Sequence, residues 1–122
     1  GWLPQAASQP VVFPVPWPTR GGLIETFGDE QVVQQMLRSL LQEADADYAG
    51  LIHARRSLDR HGIAERLHRL AGSLSFLGTT ELDERAARLI DQVREQGIHS
   101  HWQTLQQFEK DVLVYLRYLT DL

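Results

Sequence analysis

Proline bounds what this chain can fold into. All five prolines fall within the first 18 of 122 residues, in GWLPQAASQPVVFPVPWPTR, and none follows. Pro14, Pro16 and Pro18 alternate there with Val15 and Trp17. Such a run excludes a helix, because each ring removes a backbone donor and biases the residue before it towards extended conformations. Residues 1–20 are therefore expected to be an extended, polyproline-like segment: either a linker, or a strap whose Val11, Val12, Phe13 and Trp17 lie along the folded body. Beyond it the apolar positions keep helical spacing to the end. Residues 21–122 are expected to form one all-α domain.

The helices can be placed by their stripes and caps. A short first helix is predicted over Leu23 to Phe27, closed by Gly28, with Asp29 capping the next. Val33, Leu37, Leu40, Ala44, Tyr48, Leu51 and Leu58 then recur at threes, fours and sevens, predicting a long helix over about 30–58 that DRHG ends. A third helix is predicted over roughly 63–77, stopped by Gly78. Thr79 or Thr80 caps a fourth, with Leu82, Ala86, Leu89 and Val93 buried and Glu81–Arg85 and Glu84–Arg88 paired on its wet side, and Gly97 ends it. In the last helix Ser100 and Gln103 have capping-box spacing ahead of Trp102, Leu105, Phe108, Val112, Leu116 and Leu119. Four substantial amphipathic helices with short connections predict an antiparallel four-helix bundle, with the short N-terminal helix added.

Composition excludes several functions. With 43% hydrophobic and 23% charged residues and no apolar stretch near the ~20 residues of a bilayer crossing, the domain is expected neither to span nor to contact a membrane. A net charge of −4 with both signs mixed along the helices leaves no basic stripe for nucleic acid. The absence of cysteine removes disulfides, thiolate nucleophiles and thiolate metal sites. The opening GWLPQAASQP lacks the basic start and apolar segment of a signal peptide, so a cytoplasmic location is expected.

The feature that calls for a function is RLHRLAGSLSFLG, residues 66–78. At about 100° per residue, Ile63, Leu67, Leu70, Leu74 and Leu77 gather within roughly 80° of arc, and His68 falls about 140° from their centre. The imidazole is thus expected to face water on a convex surface. Ala64, Ala71, Gly72 and Ser75 share its side and keep that surface low. A mid-helix glycine costs about 0.5–1 kcal/mol relative to alanine, and clearance for a large partner one turn from His68 accounts for it. A nucleophilic ring nitrogen reached by a second protein suits group transfer, whereas a hydrolase would need a carboxylate, a second nucleophile and a pocket around residue 68.

The stretch LHRLAGSLSFLGTTEL resembles the signature of histidine-containing phosphotransfer (HPt) domains, in which an exposed histidine is followed four residues later by glycine and a Leu-Gly pair ends the helix. His68, Gly72, Leu77 and Gly78 match, and the helix order over residues 21–122 fits the family. The resemblance implies a phosphorelay module without kinase activity of its own. His68 would take a phosphoryl group from the aspartyl phosphate of one receiver domain and pass it to the aspartate of a response regulator. It also implies that Mg²⁺ belongs to the receiver and that this domain binds no cofactor. The domain is expected to be monomeric in isolation and to come from the end of a larger hybrid sensor kinase, itself a candidate for anchoring in the inner membrane.

One departure from the family pattern is Ala71, where many members carry lysine. Arg69 and Arg66 are the nearest replacements for that charge, although on the wheel they lean about 100° or more from His68. Ser75 either hydrogen-bonds the phosphorylated ring or keeps the surface low. Two rival readings stand beside the relay. One is a zinc site built on His61, Glu65 and His68, with His99 and His101 elsewhere. The other is a docking bundle in which the histidine is incidental.

Overall fold

The computed structural model describes residues 17–78 and 80–122. Its helices are α1 (Arg20–Phe27), α2 (Glu30–Arg56), α3 (Arg60–Ser75), α4 (Glu81–Gln96) and α5 (Trp102–Thr120), with a 3₁₀ turn at His99–His101. No strand occurs among the described residues, and no described helix is long and apolar enough to cross a membrane. The expected all-α bundle with a short leading helix is what the chain forms. Successive long helices run antiparallel: the Arg60 guanidinium, opening α3, donates to the Val93 carbonyl near the end of α4 at 2.9 Å. α3 packs between α2 and α4, and α5 closes the bundle on the diagonal from α3, touching α2 and α4.

The predicted stripes meet at the centre. Val33, Leu51, Ile63, Leu67, Leu70, Ala86, Val93, Leu105, Phe108 and Val112 are fully buried, and their removal from water is the main stabilising term. The caps are partly as expected. Gly28 ends α1 at φ 97°, and the Asp29 carboxylate accepts from the Gln31 amide at 2.7 Å. α1 begins earlier than predicted because the Thr19 hydroxyl caps it, accepting from the Gly22 amide at 3.0 Å.

Several local expectations also fail. Leu58 is not in the core: it is 51% exposed at φ 56°, the turn residue that ends α2 and lets Asp59 cap α3 through the Gly62 amide at 2.9 Å. α3 therefore starts at Arg60 and takes in His61. Its regular part also stops at Ser75, with Phe76 and Leu77 in a turn before Gly78 at φ 121°. On α4, Arg85 reaches across to Asp111 of α5 at 2.8 Å instead of pairing with Glu81. Ser100 sits inside the 3₁₀ turn, where its hydroxyl donates to the Gln96 carbonyl at 3.4 Å, so no capping box opens α5. Thr80 precedes α4 without a side-chain cap bond, and Thr79 lies outside the described residues.

The end of the proline-rich segment packs on the bundle. Trp17 lies with its ring centroid 5.0 Å from both Tyr115 and Tyr118 of α5, and the Tyr118 hydroxyl donates to the Pro18 carbonyl at 2.6 Å. Arg20 then bonds Glu30 at 2.6 Å and the Leu122 carbonyl at 3.2 Å. Desolvation beneath this cover, with smaller contributions from Tyr118 and Asp83, pushes the Tyr115 phenol up to about 12. Val11, Val12 and Phe13 lie outside the described residues.

A polar cluster inside the bundle has no counterpart in the apolar pattern. Arg55 of α2 and Glu109 of α5 form a doubly bonded ion pair at 2.6 and 2.9 Å with side chains only 7% and 6% exposed, and the Trp102 ring covers the guanidinium at 4.8 Å. Two bonds and a ring face offset the desolvation that burying both charges costs.

Candidate phosphotransfer site

The direction of residue 68 follows from how α3 is held. Asp59 sets the start of the helix, and Ile63, Leu67, Leu70 and Leu74, each at most 1% exposed, turn one face into the bundle. His68 is exposed on the opposite face, as the wheel predicts. The ridge that carries it has two unlike flanks.

Towards α4, His68 lines an open depression of about 250 Å³ together with His61, Ala64 and Glu65 of α3 and Ile90 and Arg94 of α4. This departs from the expected convex surface. Ala64, expected on the exposed clearing, is only 3% exposed and forms part of the floor, because α4 packs closely enough to widen the buried arc beyond the leucine stripe. Ala71 is half-buried against the core for a similar reason. Gly72 and Ser75 remain exposed as expected. The Ser75 hydroxyl donates to the Gly72 carbonyl at 3.1 Å, which keeps it down on its own helix. Among the described residues no ion pair engages Arg94. Sequence reading missed this cation, since its signal was only an arginine in the last turn of the next helix, facing an unknown neighbour.

Towards α2 lies a groove of about 420 Å³ lined by Glu43, Ala46, Asp47, Arg66, Arg69, Gly72 and Ser73. Three of its charged residues, Asp47, Arg66 and Arg69, are engaged with one another. Arg66 donates to the buried Asp47 carboxylate at 2.8 Å, while Arg69 stands 4.0 Å from Asp47 and 3.9 Å from Glu65. The two arginines considered for phosphate charge thus turn away from His68 and tie α3 to α2. Gly50 of α2 makes that tie possible, because a Cβ there would stand 2.5 Å from the Arg66 Nε. Gly72 is the contrary case: a Cβ there would meet nothing within 4 Å. Nothing described within the chain requires glycine at position 72.

For the zinc alternative, His61 and Glu65 do approach, at 3.8 Å, but no group of three or more metal-ligating side chains gathers among the described residues. His99 stacks on Trp102, and His101 bonds Gln96. The pattern of an exposed histidine, a neighbouring unpaired cation and a glycine without an internal reason is that of a surface built for another molecule.

Comparison with known proteins agrees. The chain is 28% identical over 92 residues to the sensor protein GacS of Pseudomonas syringae pv. syringae, covering 75% of this chain and 10% of that protein, so it spans about a tenth of the relative's length. No solved structure matches it. The family model for the Hpt domain matches residues 35–117, including all of α3 and α4, and the chain therefore belongs to the Hpt domain family, as a phosphorelay module of two-component signalling that works with receiver domains.

Proposed function

We propose that His68 is the phosphoryl carrier of this domain. A ring nitrogen of the neutral imidazole attacks the phosphorus of an aspartyl phosphate on a receiver domain. The new N–P bond forms as the P–O bond to the aspartate breaks, and the carboxylate leaves. The reverse step, onto the aspartate of a response regulator, regenerates the free ring. The transferred group is largely dissociative and highly charged in transit, so the chain's contribution is positioning and charge balance. Mg²⁺ and the acidic pocket belong to the receiver. Arg94, unpaired in the same depression, supplies the cation that Ala71 does not.

The observation that carries this reading is the pairing of an exposed His68 with Gly72, whose missing side chain has no use inside the protein. A glycine that costs about 0.5–1 kcal/mol in a helix and opens space only outwards favours approach by a partner. The likeness to a short part of a sensor protein supports a place within a larger sensor polypeptide.

The test is phosphate mapping after incubation with a phosphorylated receiver and Mg²⁺. Glutamyl endopeptidase, cutting after Glu65 and Glu81, releases a peptide whose sole histidine is His68. One acid-labile, base-stable phosphate on that peptide is the expected result. Phosphate on another peptide, or none, refutes the assignment.

A further inference from the structure

Phe76 is the one large hydrophobic side chain of the α3 segment left in water, 56% exposed just past the helix end. It is not loose. Its ring stacks on Phe27 at a centroid distance of 6.4 Å and an interplanar angle of 12°, an offset arrangement that aromatic rings favour. Phe27 in turn is the last residue of α1, whose Thr19 cap, Arg20 bonds and Gly28 turn fix it at both ends. α1 thus runs from the C-terminal end of α5 to the C-terminal end of α3 and delivers one aromatic face against another.

Phe76 lies eight residues from His68, about 12 Å along the axis and about 80° around it. The surface between them passes over Gly72, where there is no side chain to interrupt it. A standard interface of about 800 Å² per partner extends about 16 Å from its centre, so a protein of that footprint centred on His68 covers Phe76. Over a floor of buried Ala64 and Ile90, the side chains that share the His68 depression and reach solvent are His61, Glu65 and Arg94, all polar or charged. Such groups steer encounter more than they hold it, whereas buried aromatic anchors carry most of the affinity.

Resting on the carrier role of His68, we propose that the stacked Phe27–Phe76 pair is the apolar anchor on which the receiver domain seats while its phosphoaspartate reaches the imidazole. The anchor is preformed, so little ordering accompanies docking. Recognition is then divided: the aromatic step holds the receiver, and the His68 depression performs the exchange.

The experiment uses the receiver, from a panel of those of the source organism, that transfers phosphate fastest to the unaltered chain. Phe76→Ala is expected to weaken receiver binding at least tenfold and to slow transfer in proportion, with Phe76→Leu retaining most of both. Direct labelling of His68 by phosphoramidate, a donor too small to use the anchor, should stay unchanged, and the melting temperature should fall by no more than the few degrees that losing the Phe27 stack costs. Undiminished receiver binding by Phe76→Ala overturns the proposal. So does concentration-dependent dimerisation of the unaltered chain that Phe76→Ala abolishes, since a second copy would then be the occupant. Phe76-dependent binding with no phosphate on His68 from either donor overturns the carrier reading and leaves the anchor standing. A panel in which no receiver binds or transfers overturns both.

Discussion

The two flanks of α3 hold similar residue types and do opposite things with them. Towards α2, Arg66 and Arg69 face Asp47 and Glu65, and the charges close on one another inside the fold. Towards α4, Arg94 shares a depression with His68 and has no ion-pair partner among the described residues. The same contrast separates two glycines. Gly50 makes room for the Arg66 side chain, whereas Gly72 makes room for nothing in the chain. Groups satisfied internally hold the bundle together, and groups left unsatisfied at the surface are where a partner is recognised.

The contrast breaks most readily at His68. His68→Gln is expected to abolish phosphate uptake completely while shifting stability by less than about 0.5 kcal/mol, as for an exposed side chain; autoradiography of the transfer reaction beside thermal melting checks both. Retained transfer, or a large loss of stability, would show that the ridge is not organised around this ring.

Next in size is the difference between arginines. A solvent-exposed cation within a few ångströms of a phosphoryl group is worth ~1 kcal/mol or somewhat more, so Arg94→Ala should slow transfer roughly tenfold. Arg66→Ala should leave the transfer rate within about twofold and instead lower stability by ~1 kcal/mol, because Asp47, 6% exposed, loses its hydrogen-bond partner. Stopped-time transfer assays and urea denaturation of both variants separate the two roles. Equal transfer rates would dissolve the distinction between the flanks.

The glycines give a third comparison. Gly72→Leu should slow transfer by filling the approach to His68, with no loss of stability, since the added side chain meets open space. Unchanged rates would mean that clearance is not this residue's purpose. The smallest effects are expected from alanine. Gly72→Ala should stabilise the fold by about 0.5–1 kcal/mol, whereas Gly50→Ala should gain nothing or lose ~1 kcal/mol, because its Cβ displaces Arg66 from Asp47. Paired denaturation curves test the sign of that difference, and a gain at both positions would show that Arg66 relocates freely.

Much of this was readable from one strand of reasoning: the leucine stripe of residues 63–77 defines an inside, and His68 then has to be outside. Helical periodicity reports the direction of a side chain relative to its own helix's core. It does not report which helix lies on either side, so Ala64 read as exposed although α4 covers it, and Arg66 read as a free cation although Asp47 holds it. Arg94 was invisible as a site residue because its relation to His68 exists only once α3 and α4 are packed. Leu58 failed for a local reason, since a leucine in phase with the stripe was used instead as the left-handed residue of a turn.

By itself the sequence determined the helical body and the outward histidine with its glycine, because each depends on short-range backbone preference and periodic burial. Only the tertiary structure decided that Arg66 and Arg69 turn to Asp47 while Arg94 comes beside His68, where the surface is hollow, and that Phe27 meets Phe76. Those are relations between separate helices, and the physical quantities that govern them, side-chain reach and mutual desolvation, take a value only when the helices are side by side.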